Sequence, residues 1–574
     1  MDPVTGRAGA LARVGPLWLV FGALMAGAVG AWIYDLVTGS IAAGVAALFL
    51  FAGAAVVAAL VLPFPLALVS PLFMGFGGWL VDMMPLVMLA GGAAVVTRWA
   101  ISLVTERRMP RGGKWIWIPV FLIVWTALGI VVLPEGSFKH FLLLVGVQVI
   151  ASGLVLAVVD AAAAVETRTR IASGLALFVV VCAVGALAQN LGIPVEALQD
   201  RDVSDRVEGA YGLDAYSSDT GMVKYVLSSI GGAGDVRKKL ASIAKEEPSF
   251  PEYKVLEPRI RLFDSEIPVQ FEGSARDVED TLRAIEGDLI FDNVALAASN
   301  KVPRWRSFAR NSLTFAGSCV AVLPFAFYLA WVGEGRRRWL GRVAVAACLF
   351  GAGFALARGS WIAIAIGVVY LLVDGKLRWA RRLQIAGSFV AAGVLLTGFY
   401  FVKYETSPLD ARAAGQASVS TRETLYRDTV KSLNGIHYVL GYGTEESRTQ
   451  DDTGAVVNER YIPRAGTHST YLNYLFRTGV PGLAAILALY ALSALHARAG
   501  ARAHRDKERL FSTLATGAVL AVAAHAVILS IYVEPIYTVV ISLVLGLGMA
   551  GNIDLPTSVF PWRSSSAGHD GAPA

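Results

Sequence analysis

The residues best suited to chemistry in this sequence are one histidine and several arginines near the ends of apolar runs. His468 lies in the string from Gly466 to Tyr471, which leads directly into a long apolar run. An imidazole titrates near neutral pH, so a histidine at the mouth of a helix is suited to accept a proton from an incoming hydroxyl group. A helix-capping or simply hydrogen-bonded histidine is the alternative interpretation of this position.

Three arginines stand at comparable places. Arg358 lies between two apolar runs with almost no loop, and Arg310, followed by Asn311, precedes another run. Arg422 follows Ser420 and begins a predicted helix by the spacing of a capping box. Guanidinium groups pair well with phosphate oxygens, so their convergence would favour a lipid-linked phosphate or diphosphate. Taken singly, Arg358 could instead extend its side chain to the membrane interface, and Arg422 could be a solvated surface arginine.

The elements that must position these residues are helices that cross a membrane. The chain has 574 residues, 55% of them hydrophobic and only 16% charged, with a mean hydropathy of +0.57, which excludes a series of soluble domains. A bilayer core needs about 20 apolar residues per helical crossing, and such runs recur along the sequence. We therefore predict an all-α polytopic membrane protein with about fourteen transmembrane helices and a small α/β extracytoplasmic insertion. The predicted crossings are approximately 15–35, 40–62, 64–81, 84–104, 115–133, 139–160, 170–192, 311–333, 338–357, 359–375, 383–402, 478–497, 509–531 and 535–552.

Basic residues in the short loops fix the predicted orientation, because cytoplasmic loops carry an excess of lysine and arginine. The basic loops fall on one side only if the span 64–81 is kept, although Pro65 and Pro71 make it the weakest and suggest a broken or re-entrant segment. That side is assigned to the cytoplasm. The predicted regions are N-terminal transmembrane helices at 1–194, an extracytoplasmic soluble insertion at 195–310, central transmembrane helices at 311–402, an extracytoplasmic catalytic loop at 403–477, C-terminal transmembrane helices at 478–552 and a cytoplasmic tail at 553–574.

The insertion at 195–310 concentrates acidic and basic residues and is predicted to form a small soluble domain. Residues 253–262 and 267–271 have the composition of short strands, and a helix is predicted from Ser274 to Gly287. We expect this domain to bind the acceptor or a partner protein.

Two further features exclude classes of protein. The three cysteines all lie inside apolar runs, at Cys182, Cys319 and Cys348, so they form no disulfide framework in the loops and argue against a cysteine-ligated metal. The net charge of +6 is explained by the cytoplasmic loops and does not indicate nucleic-acid binding.

Several strings together resemble the O-antigen ligase and O-antigen polymerase-like superfamily of membrane glycosyltransferases, which are of the GT-C type. The resemblance covers roughly residues 305–545, with Ser469 standing where asparagine is commoner. The strings that carry it are the arginine-started helix at Arg422, the turn Leu440–Gly443, the run from His468 to Gly482, the helix start Ala357–Trp361 and the element Ala309–Ser312.

The resemblance implies metal-independent transfer, with inversion, of a glycan from a polyprenyl (undecaprenyl) diphosphate carrier to a glycan, lipid or protein hydroxyl acceptor. It implies no cofactor and no nucleic acid, and a place in the bacterial inner membrane with the active face extracytoplasmic. The product would be a surface polysaccharide, as in O-antigen ligation to lipopolysaccharide or polymerisation. The implied catalytic residues are His468, Arg422 and Arg358, and the implied substrate-binding residues are Arg310, Asn311, Tyr471 and Asn473. For Tyr471 and Asn473, packing within a helix bundle is the favoured alternative.

Other interpretations remain open at this stage. Asp200 and Asp202 have the spacing of a metal-binding Asp-x-Asp pair, and Asp35 or Asp82 could be the base of a polyprenyl-phosphate sugar transferase. A flippase or exporter of lipid-linked oligosaccharides would also have about fourteen spans, although it should show internally related halves. His525, inside the thirteenth predicted span, is expected to pack or to pair with a polar neighbour.

Overall fold

The apolar runs form long helices in the computed structural model. Eight of the described helices are long and apolar enough to cross a membrane, and three shorter apolar helices accompany them. The protein is therefore a polytopic, predominantly helical membrane protein. The structure describes residues 3–38, 41–80, 84–111, 113–133, 138–190, 222–228, 233–246, 250–255, 266–272, 293–296, 312–355, 357–374, 377–404, 426–427, 429–443, 449–450, 456–458, 469–527 and 535–550.

The N-terminal region is a succession of helices joined by short connections. Two short 3₁₀ turns, Gly113–Ile116 and Gly129–Val132, flank the sixth helix. The helices are α1 (Pro3–Thr38), α2 (Ile41–Val61), α3 (Phe64–Ala67), α4 (Ser70–Leu80), α5 (Met84–Thr105), α6 (Trp117–Leu128), α7 (Phe138–Ala161) and α8 (Val165–Asn190).

The segment 195–310 contributes four strands and one helix among its described residues, and the segment 403–477 contributes a short helix and a two-stranded ribbon. These elements are β1 (Met222–Ser228), α9 (Ala233–Glu246), β2 (Tyr253–Val255), β3 (Glu266–Glu272), β4 (Asn293–Leu296), α14 (His437–Leu440), β5 (Thr449–Gln450) and β6 (Val456–Asn458). The remaining helices are α10 (Ser312–Val332), α11 (Arg336–Phe354), α12 (Arg358–Val373), α13 (Trp379–Tyr404), α15 (Thr470–Ala503), α16 (Asp506–His525) and α17 (Pro535–Met549).

The weakest predicted span, 64–81, is a broken helix. The chain forms α3, passes through Leu68 and Val69, and continues as α4. Both linking residues are almost completely buried, so the break lies inside the bundle. Proline cannot donate a backbone hydrogen bond, and the spacing of Pro65 and Pro71 explains why one continuous helix does not form.

The start of α15 differs from the predicted start at 478. The helix begins at Thr470, with Ser469 as its N-cap, and bends at Gly479, where φ is 67° and ψ is −170°. Glycine is almost the only residue that adopts this conformation. The glycine and Pro481 resemble a helix boundary in the sequence, whereas they mark a kink within a helix that starts earlier.

The four strands of the insertion form an antiparallel sheet in the order β2-β3-β1-β4. Together with α9 between β1 and β2, this order is that of a split β-α-β domain. Leu240 and Ile243 of α9 are buried, as are Val269 and Phe271 of β3. The strand predicted at 267–271 lies within β3, and the first predicted strand is described only for Tyr253–Val255. The helix predicted from 274 to 287 lies outside the described residues.

The centre of the bundle is formed by α10, α16 and α17, whose described residues are mostly buried. Small residues allow neighbouring helices to approach this centre closely. A Cβ atom at Gly341 of α11 would lie 2.3 Å from the backbone nitrogen of Ala330 in α10. Close backbone approach through small residues is a general means of holding membrane helices together.

Charged groups join the loops at one end of the bundle. Arg108 donates two hydrogen bonds to Asp160, at 2.7 and 2.8 Å, and Arg337 pairs with Glu166 at 2.9 Å. The guanidinium group of Arg381 lies 5.4 Å from the ring centre of Trp331. These contacts connect four of the basic loops that the sequence places on one side. We call this the ion-paired end, defined by Arg108, Asp160, Glu166 and Arg337.

The hydrogen bonds around Asp160 explain how a nearly buried carboxylate is held at this end. Besides the two bonds from Arg108, the carboxylate accepts bonds from the Arg111 backbone N–H at 3.0 Å and the Trp99 indole N–H at 3.1 Å. The hydrogen bonds to Asp160, and then to Glu106, raise the pKa of Arg108 above its ordinary value. A buried carboxylate with this many donors is satisfied by the protein alone.

Candidate functional site

Most of the predicted site residues lie outside the described part of the chain. These are His468, Arg422, Arg310 and Asn311. Arg358 is the first residue of α12, and its backbone is described although its side chain is not. The position of the candidate site therefore depends on the neighbours of these residues along the chain.

Those neighbours meet at one place, the last turn of α16 and the two residues that follow it. We call this segment, Ala523–Val527, the α16 terminus, and the end of the bundle that contains it the His525 end. The helix α16 starts at the ion-paired end, because its second residue, Lys507, pairs with Glu334 at 3.7 Å, and Glu334 is three residues before Arg337. The last turn of α16 therefore lies at the opposite end of the bundle.

The start of α12 contacts the α16 terminus through Ser360. The Ser360 hydroxyl lies 2.7 Å from Nε2 of His525. On the other side of the imidazole ring, Nδ1 lies 2.6 Å from the Tyr537 hydroxyl of α17. All three side chains are fully buried. These two hydrogen bonds thus join α12, α16 and α17. Ser360, the contact on α12, is two residues after Arg358.

The segment after Arg422 contacts the same place through Tyr426. The Tyr426 hydroxyl donates to the Val527 carbonyl at 3.2 Å. Described residues from 426 to 432 are helical, as the sequence predicts, and Gly435 has a positive φ of 46° just after them. A glycine in this conformation is typical of a helix end.

The segment after His468 contacts the α16 terminus twice. The Thr470 backbone N–H donates to the Ala526 carbonyl at 2.8 Å, and the Tyr471 hydroxyl donates to the Ala523 carbonyl at 2.8 Å. The carbonyl groups at the end of a helix lack partners within that helix, so α15 satisfies part of the end of α16. The single hydroxyl proton of Tyr471 is used in this contact.

Asn473 and its neighbours are packed into the bundle. The Asn473 backbone N–H donates to the Ser469 carbonyl at 3.0 Å, and its side chain is only 4% exposed. One residue on, the Tyr474 hydroxyl donates to Oε1 of Gln148 at 2.9 Å. This bond links the first turns of α15 to α7.

The turn Leu440–Gly443 fits against the break in α15. The Tyr442 and Gly443 backbone N–H groups donate to the Phe476 and Arg477 carbonyls, at 2.8 and 3.0 Å. Trp125 of α6 donates its indole N–H to the Thr478 carbonyl at 2.9 Å. Gly479 and Pro481 free these carbonyls from their helical partners, and backbone groups within a membrane must find others. The turn and the kink therefore belong to one structure.

Glycine is required in that turn. Gly441 and Gly443 have φ values of 68° and 66°, and a Cβ atom at Gly441 would lie 2.3 Å from the Arg477 carbonyl carbon. Between the glycines, the Tyr442 ring stacks on His437, with ring centres 3.9 Å apart, and on Phe476, at 4.7 Å. Burial raises the pKa of the Tyr442 phenol, whose hydroxyl donates to the Ser432 carbonyl at 2.6 Å.

No group of three or more acidic, histidine or cysteine side chains is placed to hold a metal ion among the residues that the structure describes. Asp82, Asp200 and Asp202, the aspartates of two alternative hypotheses, lie outside those residues, whereas Asp35 lies within α1.

The contacts that bring the α16 terminus into the site were not predicted. The sequence predicts that His525 packs or pairs with a polar neighbour, and it does pair, with Ser360 and Tyr537. The signal that could have found it is a histidine in an otherwise apolar helix, which requires partners elsewhere in the bundle.

Comparison with known families gives a match over part of the chain. Residues 343–487 match the family described as O-Antigen ligase. The matched region is about a quarter of the chain and includes Arg358, Arg422 and His468, whereas Arg310 and Asn311 precede it. The match confirms the family resemblance predicted from the sequence and supports a ligase- or polymerase-like role in surface-polysaccharide synthesis. A search of curated proteins found no match.

Proposed function

We propose that this protein is a metal-independent, inverting glycosyltransferase that moves a glycan from a polyprenyl diphosphate carrier to an acceptor hydroxyl. It acts as an O-antigen ligase or surface-polysaccharide polymerase at the extracytoplasmic face of the bacterial inner membrane. The acceptor is a hydroxyl group of a glycan, lipid or protein.

The observation that carries this proposal is the convergence of three chain segments on the α16 terminus. Ser360, Tyr426 and Thr470 each contact it, and they follow Arg358, Arg422 and His468 by two, four and two residues. Four residues span at most roughly 14 Å of extended chain. The convergence therefore supports a shared site for the three predicted catalytic residues, which are far apart in the sequence.

A fourth segment approaches the same place from α10. A Cβ atom at Gly317 would lie 2.8 Å from Cε1 of His525 and 2.6 Å from Cε2 of Tyr537, so α10 contacts the His525 ring near its start at Ser312. Arg310 and Asn311 immediately precede that start. This contact supports a substrate-binding role for them.

The proposed chemistry follows from the residue types. A diphosphate is already a good leaving group, and Arg358 and Arg422 stabilise the negative charge that grows on it as the glycosidic C–O bond breaks. His468 accepts the proton of the acceptor hydroxyl as its oxygen attacks the anomeric carbon from the opposite face. Tyr471 supports the site by holding α15 to α16, and Asn473 by packing within α15.

The test is a transfer assay with purified protein. The protein is given an undecaprenyl diphosphate glycan with candidate acceptors, and the products are identified by mass spectrometry. Chain extension would indicate a polymerase, and a single transfer to core lipid would indicate a ligase. We expect His468→Ala to lower the transfer rate about 100- to 10,000-fold, the usual contribution of a general base.

The same variant separates the enzyme from a transporter. His468→Ala should leave movement of lipid-linked oligosaccharide across proteoliposomes unchanged. Loss of that movement, with no transfer by the wild-type protein on any acceptor, would replace the transferase by a flippase. Transfer that needs Asp35 or Asp82 and a monophosphate donor would instead support a polyprenyl-phosphate sugar transferase.

A further inference from the structure

The described part of the chain contains one fully buried histidine that has polar partners on both ring nitrogens. His525 has no exposed surface, and it bonds Ser360 of α12 and Tyr537 of α17. A buried polar side chain in a membrane helix is costly unless each polar atom has a partner. This histidine therefore fixes how three helices meet.

The imidazole bridges two hydroxyl groups, and both neutral tautomers give the same two contacts. A neutral imidazole donates from one ring nitrogen and accepts at the other, and a hydroxyl group can do either. In each tautomer Nε2 is bonded to Ser360 and Nδ1 to Tyr537.

Ser360, the partner of Nε2, lies in the first turn of α12. The backbone N–H groups of Ser360 and Trp361 both donate to the Ala357 carbonyl, at 2.9 and 3.3 Å. Ala357 is buried and has an extended backbone, and Arg358 follows it as the first helical residue. The orientation of this turn sets the direction in which the Arg358 side chain leaves the backbone.

We propose that His525 is a positioning residue for Arg358, acting through Ser360. This inference rests on the proposed function, because it gives Arg358 its role at the diphosphate. His525 itself is buried against the helices and contacts no substrate. Its Nε2 atom, through the bond to Ser360, holds the first turn of α12, which carries Arg358 as its first residue.

Two conservative variants separate the two sides of the imidazole ring. The amide nitrogen of glutamine lies where Nε2 of histidine lies, so His525→Gln keeps the bond to Ser360 and loses the bond to Tyr537. The amide of asparagine corresponds to Nδ1, so His525→Asn keeps the bond to Tyr537 and loses the bond to Ser360. The two variants have side chains of the same polarity, but His525→Gln keeps the bond to α12 and His525→Asn keeps the bond to α17.

The first readout is the kinetics of transfer. We expect His525→Asn to lower kcat about 10- to 100-fold with KM changed less than about 3-fold, since a shift of about 1 Å in a catalytic group has effects of this size. His525→Gln should stay within about 3-fold of the wild type. Ser360→Ala should reproduce the asparagine variant, and combining the two should lower kcat no further, because both remove one interaction.

The second readout does not depend on activity. Hydrogen exchange at the backbone amides of Ser360 and Trp361 should be faster in His525→Asn and in Ser360→Ala, but unchanged in His525→Gln. The matched control is Thr513→Val in the same helix, which removes a buried hydroxyl whose one partner within the described residues is the Arg509 carbonyl, at 2.9 Å. It should change neither exchange at α12 nor kcat.

These readouts distinguish failure of the inference from failure of the proposed function. If the wild-type protein transfers no glycan, the proposed function fails, whereas the exchange difference still shows that His525 holds the first turn of α12. If the two His525 variants behave alike in kcat, or exchange at α12 is the same in both, the positioning role is wrong. Ser360→Ala is the smallest change and tests the same bond if the His525 variants do not fold.

Discussion

The two ends of the helix bundle are held together by different chemistry. At the ion-paired end, Arg108 joins Asp160, and Arg337 joins Glu166. At the His525 end, the hydrogen bonds between the α16 terminus and the other described segments join neutral groups, such as Ser360 with His525. Within the described part of the chain, ion pairs therefore join the loops at one end, and neutral hydrogen bonds hold the α16 terminus at the other.

This difference bears on the proposed diphosphate site. An arginine paired with a carboxylate has already satisfied its charge and binds an incoming anion less well. At the α16 terminus, Ser360, Tyr426 and Thr470 are held by neutral hydrogen bonds that use no charged group. We therefore expect an anionic substrate to bind at the His525 end rather than at the ion-paired end.

The largest expected effect is the difference in kcat between two arginine variants, one at each end of the bundle. Arg358 is the first residue of α12 and Arg337 the second of α11. Arg358→Gln should lower kcat about 100- to 1,000-fold, the loss seen when one group that stabilises transition-state charge is removed. Arg337→Gln should leave kcat within about 2-fold, because exposed ion pairs contribute only about 0–1 kcal/mol. Equal losses in a transfer assay would remove the distinction between the ends.

The next largest expected effect is a loss of stability at the Gly479 kink in α15, the helix that contacts the α16 terminus. Gly479→Ala forces an alanine into a conformation that is almost exclusive to glycine, with its Cβ atom 2.2 Å from the Val439 carbonyl oxygen. We expect the free energy of unfolding to fall by about 3 kcal/mol or more. The measurement is thermal unfolding in detergent. Gly393→Ala is the control, because nothing lies within 4 Å of a Cβ atom there, and it should be neutral.

The smallest expected effect is at the ion-paired end and should appear in stability alone. Asp160→Asn weakens the hydrogen bonds from Arg108 and should lower the free energy of unfolding by about 1.5–3 kcal/mol, the usual contribution of a hydrogen bond to a charged group. The kcat of the folded fraction should not change. A fall in kcat with unchanged thermal stability would mean that this end also takes part in the reaction.

Much of the fold follows from hydropathy alone. The fourth predicted span, 84–104, corresponds to α5 at Met84–Thr105, and the sixth, 139–160, to α7 at Phe138–Ala161. Long apolar runs have one solution in a bilayer, so their positions are well determined by the sequence. The start of α15 was predicted too late because Gly479 and Pro481 have the local pattern of a boundary. Hydrogen bonds from the backbone of the turn 440–443 satisfy the carbonyl groups freed at this point, so the helix bends there and does not begin there.

The sequence predicts the residues of the candidate site but not the contacts around it. Charge, spacing and the family resemblance predict roles for Arg358, Arg422 and His468. The role of the α16 terminus depends mainly on contacts between distant residues, such as Tyr471 with Ala523 at a separation of 52 and Ser360 with His525 at 165. Hydropathy and local spacing carry no information on such pairs, so the partners of His525 required the fold.

The central claim is that Arg358, Arg422 and His468 surround one pocket at the His525 end. An experimental structure with an undecaprenyl diphosphate glycan bound tests it most directly. We predict guanidinium nitrogens of both arginines about 2.7–2.9 Å from diphosphate oxygens, the usual distance for such charge-assisted bonds, with the His468 imidazole facing the anomeric carbon. A diphosphate bound at the ion-paired end, or an imidazole turned away from both arginines, would contradict the claim.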